Sequence, residues 1–212
     1  MKPDCYIWDN FRKEDNSALS YIYHQNVDFL FFYGKKFTID EDLILDTIQD
    51  LFFDLIRKRK TLGETENVRL YLLKSFRRRL FKELEKNKKQ SNLNEKFQPV
   101  PQIVFSIEDE LIDEEIKTEK AQELKKGLQN LNSRQREVLY YKFNCGFDYN
   151  QICDVMSISY DSARQMVSRS ISILKKHLKG KGFVFLVGSS RGKNRLQNNI
   201  IWSSLSPEFI TN

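Results

Sequence analysis

The polar side chains with the clearest chemical use lie between residues 159 and 169. Arginine and glutamine are long enough to make paired hydrogen bonds to base edges in the major groove of DNA. Helical spacing places several such residues on one face, opposite an apolar face. The residues of this outer face are Tyr160, Asp161, Arg164, Gln165 and Ser168. Arg169, Lys175 and Lys176 follow on the same predicted helix and can neutralise phosphates.

Residue types that could carry catalysis or bind a metal are sparse. His24 and His177 are far apart in the sequence, and neither has an acid or a nucleophile at a meaningful spacing. Cys5, Cys145 and Cys153 lack CxxC spacing and a nearby histidine. We therefore expect no enzyme active site, no metal site, no cofactor and no disulfide framework, and we expect the cysteines to pack inside the protein.

Two short helices must position the outer face. Asp148 and Gln151 have the spacing of a capping box, which predicts a helix from Tyr149 to Met156. A turn follows, and the hydroxyl of Ser159 can cap a second helix that runs to about residue 178. The residues expected to join the two helices are Ile152, Met156, Ile158, Ala163 and Met166. This pattern is typical of a helix-turn-helix, although a helical hairpin with a solvated face is the alternative on spacing alone.

The composition is compatible with two small folded domains. The chain has 212 residues, of which 40% are hydrophobic and 30% are charged. The formal net charge of +6 favours a polyanionic partner. No stretch approaches the roughly 20 apolar residues that span a bilayer, and no basic segment leads into an apolar run at the start. We therefore expect a cytoplasmic protein.

Helical periodicity divides the chain into two parts. Residues 10–85 and 108–178 are periodic, and the first part includes a predicted helix from Val68 to Glu85. The stretch between the two parts contains Pro99 and Pro101 and has no periodicity. We predict an all-α fold of two small helical domains joined by a flexible linker, the second containing the helix-turn-helix. The predicted boundaries are 1–86 for the first domain, 87–107 for the linker, 108–179 for the second domain and 180–212 for a tail of unknown role.

Residues 131–176, "LNSRQREVLYYKFNCGFDYNQICDVMSISYDSARQMVSRSISILKK", resemble the carboxy-terminal promoter-binding domain of bacterial sigma factors of the extracytoplasmic-function group. In the first part, "DTIQDLFFDLIRKR" resembles the polymerase-binding helix of sigma region 2. The later segment "VRLYLLKSFRRRLFKEL" resembles the helix that engages and melts the downstream promoter element. The matches stand in the family's order. The positions that depart from the family pattern are Leu45, Tyr71, Arg78, Cys153 and Ser157.

The resemblance implies three sets of functional residues. The polymerase-binding set is Asp46, Gln49, Asp50 and Phe52, with a buried Phe52 as the alternative. The downstream promoter set is Asn67, Tyr71, Arg77, Arg78, Arg79, Phe81 and Lys82. The upstream promoter set is Ser159, Tyr160, Asp161, Arg164, Gln165, Ser168 and Arg169. The second set combines cations with aromatic rings, as binding of single-stranded DNA requires, and we expect Phe81 to face outward.

The resemblance also implies a function and partners. It predicts a sigma factor that binds core RNA polymerase, recognises promoter DNA and promotes strand opening, under control of an anti-sigma factor. The loop at residues 58–67 lies where related sigma factors hold a flipped promoter base. The alternative is a stand-alone helix-turn-helix regulator with an amino-terminal sensor or dimerisation domain. For the tail, partial disorder is the first interpretation, and docking on the body or on an inhibitor is the second.

Overall fold

The computed structural model describes residues 4–91 and 126–177. The chain divides between Val104 and Phe105 into two compact units. Every regular element in the described ranges is a helix, which confirms the predicted all-α class. Most of the predicted linker, the acidic stretch that follows it and the predicted tail lie outside the described residues.

Within residues 4–91, the first unit contains four α-helices. These are α1 (Asp4–Arg12), α2 (Asn16–Lys35), α3 (Glu41–Lys58) and α4 (Val68–Ser91), with a 3-10 turn at Arg59–Thr61 after α3. The sequence did not predict α1. It also predicted an earlier end for α4, which continues past Glu85 into the stretch predicted as linker.

Side-chain caps explain where α2 and α3 begin. The carboxylate of Asp15 accepts a hydrogen bond from the backbone N–H of Ser17 at 2.8 Å, at the start of α2. Asp40 does the same for the N–H of Leu43 at 3.0 Å, at the start of α3. Each cap satisfies a backbone donor that has no partner within its own helix.

The core of the first unit is built from large apolar side chains of all four helices. The residues that are essentially inaccessible to solvent include Trp8, Phe11, Leu30, Tyr33, Ile44, Leu51, Leu72, Leu73, Phe76 and Leu80. Helices α2 and α3 approach closely at Gly34, where an added Cβ would lie 2.8 Å from Cγ2 of Ile44. Glycine is required at that point because no side-chain atom fits between the helices.

The described part of the second unit starts at residue 126, in a helical segment that ends at residue 129. It continues with α5 (Ser133–Leu139), a π-helical turn (Tyr140–Asn144), α6 (Tyr149–Met156) and α7 (Tyr160–His177). Asp148 and Gln151 form the predicted capping box, with the N–H of Gln151 2.8 Å from the Asp148 carboxylate. Asn132 and Gln135 form a second capping box at α5.

The packing between α6 and α7 follows the predicted pattern. Ile152, Met156 and Ala163 are buried, whereas Ile158 and Met166 are half-buried. Ser157 ends α6 with φ 54° and ψ 51°. This left-handed conformation is one that glycine adopts more easily, and glycine is the residue that the family commonly has at this position. The prediction that the cysteines pack inside the protein is wrong for Cys5, which is exposed on α1. Cys145 and Cys153 are half-buried.

Candidate nucleic-acid and partner interfaces

One face of α7 is free of core contacts and carries the predicted upstream set. The exposed residues of that set are Ser159, Tyr160, Asp161, Arg164, Gln165, Ser168 and Arg169. Ser159 caps the helix, since its Oγ accepts a hydrogen bond from the N–H of Ser162 at 3.2 Å. The cap fixes the first turn of α7, from which Asp161 and Arg164 project.

Two contacts on this face organise the side chains before any ligand binds. The ring of Tyr160 meets the ring of Tyr149 edge-on at 5.6 Å between centroids. Nη2 of Arg169 donates a hydrogen bond to Oε1 of Gln165 at 3.4 Å. A base edge that takes both hydrogen bonds of the Gln165 amide would release Arg169, whose charge would then be available to a phosphate.

The basic residues of α4 do not form one uniform cationic stripe. Arg78 and Lys82 are exposed, and the guanidinium of Arg77 lies 4.2 Å above the centre of the Phe81 ring. Arg79 instead forms an ion pair and a hydrogen bond with Asp54 on α3, where both side chains are largely shielded. The structure therefore separates Arg79 from the predicted downstream set: its charge is neutralised within the unit.

The same ion pair controls the titration of Asp54. The hydrogen bond from Arg79 holds the pKa of the Asp54 carboxyl below its ordinary value, and the charges of Arg79, Arg57 and Lys58 act in the same direction. Nη2 of Arg57 also donates to Asp54, at 2.8 Å. Asp54 is thus a shared acceptor that ties α3 to α4.

The two candidate stacking residues, Tyr71 and Phe81, are both half-buried, so burial alone does not distinguish Phe81 as the outward-facing ring. Phe81 packs edge-on against Phe37 at 4.9 Å between centroids, and Arg77 covers one face of its ring. Tyr71 packs against the buried Trp8 at 5.0 Å. The apolar environment on this side of α4 draws both rings inward, because aromatic burial outweighs solvent exposure of the ring. A base could reach the Phe81 face only if Arg77 moved.

Asn67 serves the fold at the start of α4. Its Oδ1 accepts a hydrogen bond from the N–H of Leu70 at 2.8 Å, which makes it the side-chain cap of the helix. Thr65 holds the backbone of Asn67 through two hydrogen bonds of 3.3 Å. Because Oδ1 is used in this cap, the side-chain NH₂ group of Asn67 is the part that can donate a hydrogen bond to a nucleic acid.

The predicted polymerase-binding set is divided between the surface and the core of α3. Asp46, Gln49 and Asp50 are exposed, but Phe52 is only 5% exposed and its ring packs edge-on against Tyr23 at 5.0 Å. The assignment of Phe52 to the docking surface is therefore wrong. Phe52 lies one turn from Ile48 and continues the buried stripe of α3.

The neighbouring phenylalanine takes the exposed position that the sequence analysis missed. Phe53 is 64% exposed, and Leu45 and Ile56 on the same side of α3 are 49% and 40% exposed. The surface formed with the exposed polar residues is called the α3 face; it consists of Leu45, Asp46, Gln49, Asp50, Phe53 and Ile56. The spacing Leu45, Gln49, Phe53 is four residues at each step, which could have identified Phe53 from the sequence.

The described residues contain no group of His, Cys, Asp and Glu side chains placed to hold a metal ion. No helix within residues 4–91 and 126–177 is long and apolar enough to cross a membrane. The exposed side chains of the described residues form an apolar and acidic face on α3, a group of cations on α4, and a hydrogen-bonding face on α7.

Comparison with known proteins agrees with this geometry in the second unit. Residues 121–174 match the family model described as sigma-70, region 4. Among solved structures, the chain is similar to the sigma factor RpoE of Bartonella quintana, determined in complex with the anti-sigma factor NepR, with 18% identity and a TM-score of 0.48 over 81% of this chain and 98% of that chain. No curated protein matches the sequence. The region 4 match covers α5, α6 and nearly all of α7, and it agrees with the resemblance to a sigma promoter-binding domain that the sequence of the second unit predicts.

Proposed function

We propose that this chain is a sigma factor of the extracytoplasmic-function group. It joins core RNA polymerase through the α3 face, reads the upstream promoter element with α7, and assists opening of the downstream element with α4. The observation that carries the proposal is the exposed hydrogen-bonding face of α7 inside a region 4 match. A protein that reads DNA needs such side chains on a helix whose other side is buried, and α7 buries Ala163, Val167 and Leu174.

The α3 face has the composition of a docking surface. Its apolar side chains are too exposed to stabilise the isolated unit, and Asp46 and Asp50 stand beside them as acceptors for basic groups of a partner. A helical partner surface with an apolar groove and a basic rim would bury the apolar side chains of the α3 face and pair with its two acidic residues. By the resemblance of the sequence, this partner is the clamp-helix surface of core RNA polymerase.

On α7, the proposed division of labour follows side-chain chemistry. Arg164 and Gln165 provide base-edge contacts, because both can form two parallel hydrogen bonds. Arg169, Ser159 and Ser168 provide phosphate contacts that set the position of the helix. Tyr160 and Asp161 complete the face at its amino-terminal end.

On α4, Arg78 and Lys82 are the proposed phosphate contacts, because both are exposed. Phe81 is proposed to stack against an unpaired base. The base can reach the ring only after the Arg77 guanidinium has moved away from it, for example when a phosphate binds that guanidinium. Tyr71 and the amide of Asn67 lie at the other end of α4 next to the loop that precedes it, where an extruded base would enter.

The remaining assignments rest on the resemblance of the sequence. We propose residues 1–86 as the region 2 domain, 87–107 as the linker and 108–179 as the region 4 domain. The protein acts in the cytoplasm, has no catalytic residue of its own, and is held inactive by an anti-sigma factor that covers its polymerase- and DNA-binding surfaces.

Reconstituted transcription tests the proposal. Purified chain and core RNA polymerase are combined with a library of duplex fragments, and run-off transcripts are mapped. Transcripts that start at defined sites and require both proteins are the expected result. Tight and specific binding of a duplex by the chain alone, with no polymerase-dependent transcript, would instead identify a stand-alone regulator.

A further inference from the structure

The loop between α3 and α4 is held by contacts from outside itself. It comprises residues 59–67, starts with the 3-10 turn and has exposed residues at Lys60, Thr61, Gly63, Glu64 and Glu66. No residue of the 3-10 turn is buried. A short exposed loop of this kind has many accessible conformations unless other parts of the chain fix it.

Helix α1 supplies the contact at the centre of the loop. The indole N–H of Trp8 donates a hydrogen bond of 2.8 Å to the carbonyl oxygen of Gly63, across 55 residues of sequence. The Trp8 ring has no exposure to solvent and packs against Phe11 and Tyr71 at 5.4 Å and 5.0 Å between centroids. A buried ring has a fixed position, so its N–H holds the Gly63 carbonyl at a defined point.

Two acidic residues extend this contact to both ends of the loop. Asp4, the first residue of α1, accepts a hydrogen bond of 3.2 Å from the N–H of Val68, where α4 begins. Glu14, which follows α1, accepts a hydrogen bond of 2.8 Å from Arg59 and lies 3.3 Å from Nζ of Lys60.

The backbone at Glu14 belongs to the turn that ends α1. Glu14 has φ 72°, in the left-handed region that side-chain-bearing residues seldom adopt. This conformation caps α1, since the N–H of Asp15 donates a hydrogen bond of 3.1 Å to the carbonyl oxygen of Asn10. In the same turn, the Glu14 carboxylate contacts Arg59 of the 3-10 turn.

We infer that residues 4–14 are a brace that fixes loop 59–67 in one conformation before any ligand reaches it, with Trp8 as the positioning residue. The role of this brace in promoter recognition rests on the proposed function. A loop that accepts an extruded promoter base can discriminate between bases only if its backbone is pre-formed. Trp8 acts through Gly63 and touches no DNA.

Hydrogen exchange measured by mass spectrometry on the full chain tests the brace without any promoter. The variant Trp8→Phe keeps an aromatic ring and removes the N–H donor. Amide exchange in peptides covering residues 59–67 should accelerate about 2- to 10-fold, the factor expected for one lost hydrogen bond. Peptides from α7, in the other unit, should not change. Unaltered exchange in the loop would overturn the inference.

A second variant avoids the risk that Trp8→Phe loosens the whole core. Glu14→Gln alters a carboxylate outside the core and should accelerate exchange at residues 59–61 while the urea unfolding midpoint stays within experimental error. The matched control is Cys5→Ser, an exposed change on α1 that touches none of these contacts; its loop should exchange at the wild-type rate. Equal acceleration in Cys5→Ser and Glu14→Gln would also overturn the inference.

A functional measurement connects the brace to base selection. Holoenzyme assembled with each variant is titrated with single-stranded oligonucleotides that carry the downstream element with each of the four bases at each position. Trp8→Phe should reduce the preference at one position at least threefold and leave the other preferences intact; a uniform loss of affinity would contradict a positioning role. If wild-type protein shows no polymerase-dependent binding, the proposed function fails, whereas the exchange result stands on its own.

Discussion

Adjacent phenylalanines on α3 allow docking and folding to be separated by two matched substitutions. Phe53 is 64% exposed and Phe52 is 5% exposed, so the same truncation should have opposite effects at the two positions. We predict that Phe53→Ala weakens binding to core RNA polymerase and leaves the free energy of unfolding almost unchanged. Phe52→Ala should destabilise the first unit and affect binding only as far as it unfolds the protein.

The expected magnitudes follow from the exposed areas. A phenylalanine side chain can bury about 150–250 Å². The two thirds of Phe53 still open to solvent would therefore contribute about 2 kcal/mol if a partner covered most of it, at about 25 cal/mol per Å². This corresponds to a roughly 30-fold increase in Kd for core polymerase. Phe52→Ala creates a cavity in the core, which costs about 3–5 kcal/mol of unfolding free energy.

Fluorescence anisotropy with labelled protein and urea unfolding measure the two quantities on the same samples. Leu62→Ala provides a control for loss of a partly exposed apolar residue outside the α3 face. The reasoning fails if Phe53→Ala binds core polymerase with wild-type affinity. It fails equally if Phe52→Ala remains stable and loses binding, since that would place the inner phenylalanine in the interface.

Three further predictions concern the other surfaces. Arg164→Ala and Gln165→Ala should each weaken recognition of the upstream element by about 1–3 kcal/mol with core affinity unchanged, as seen in promoter titrations of the holoenzyme; unchanged selectivity would exclude α7 as the reader. Phe81→Ala should slow open-complex formation on a duplex promoter, and a pre-melted template should restore the rate; permanganate footprinting of unpaired thymines distinguishes this from an equal defect on both templates, which would leave only an electrostatic role. For the pair of Asp54 and Arg79, the lowered pKa of Asp54 means that its stabilising contribution is present above the ordinary aspartate value of 3.8 and is lost as the pH falls through the folded-state pKa. The unfolding midpoints of wild type and Asp54→Asn should therefore differ at neutral pH and converge in acid; a constant difference across that range would contradict the ion-pair explanation.

Local signals predicted the second unit well. In the capping box of Asp148 and Gln151, and in the cap by the Ser159 hydroxyl, the bonded residues are three positions apart in the sequence. The starts of α6 and α7 could therefore be predicted from the sequence. The outer face of α7 followed from helical spacing once the starts were known. Ser157 could be predicted to adopt a left-handed conformation because the turn between the helices demands one.

The first unit was predicted less completely because distant contacts decide its details. Helix α1 has only 9 residues and is held by contacts such as the one from Trp8 to Gly63, which sequence periodicity cannot reveal. Arg79 looks like its neighbours in the sequence, and only the position of Asp54 on another helix shows that it is paired. Phe52 and Phe53 are separated by 100° of rotation about α3, and both lie at the edge of a broad apolar stripe, so helical spacing alone does not distinguish the buried ring from the exposed one.

The close approach of α2 and α3 at Gly34 limits how the sequence of this protein can change over time. An alanine at that position would place its methyl carbon 2.8 Å, 3.0 Å and 3.3 Å from three atoms of Ile44. Ile44 is fully buried, so its side chain has no open space into which it could move. Position 34 can therefore gain a side chain only in a lineage where position 44 has first become smaller. Intermediates that change position 34 first would lose packing between the two helices, so substitutions at the two sites should be ordered and correlated among descendants of this sequence.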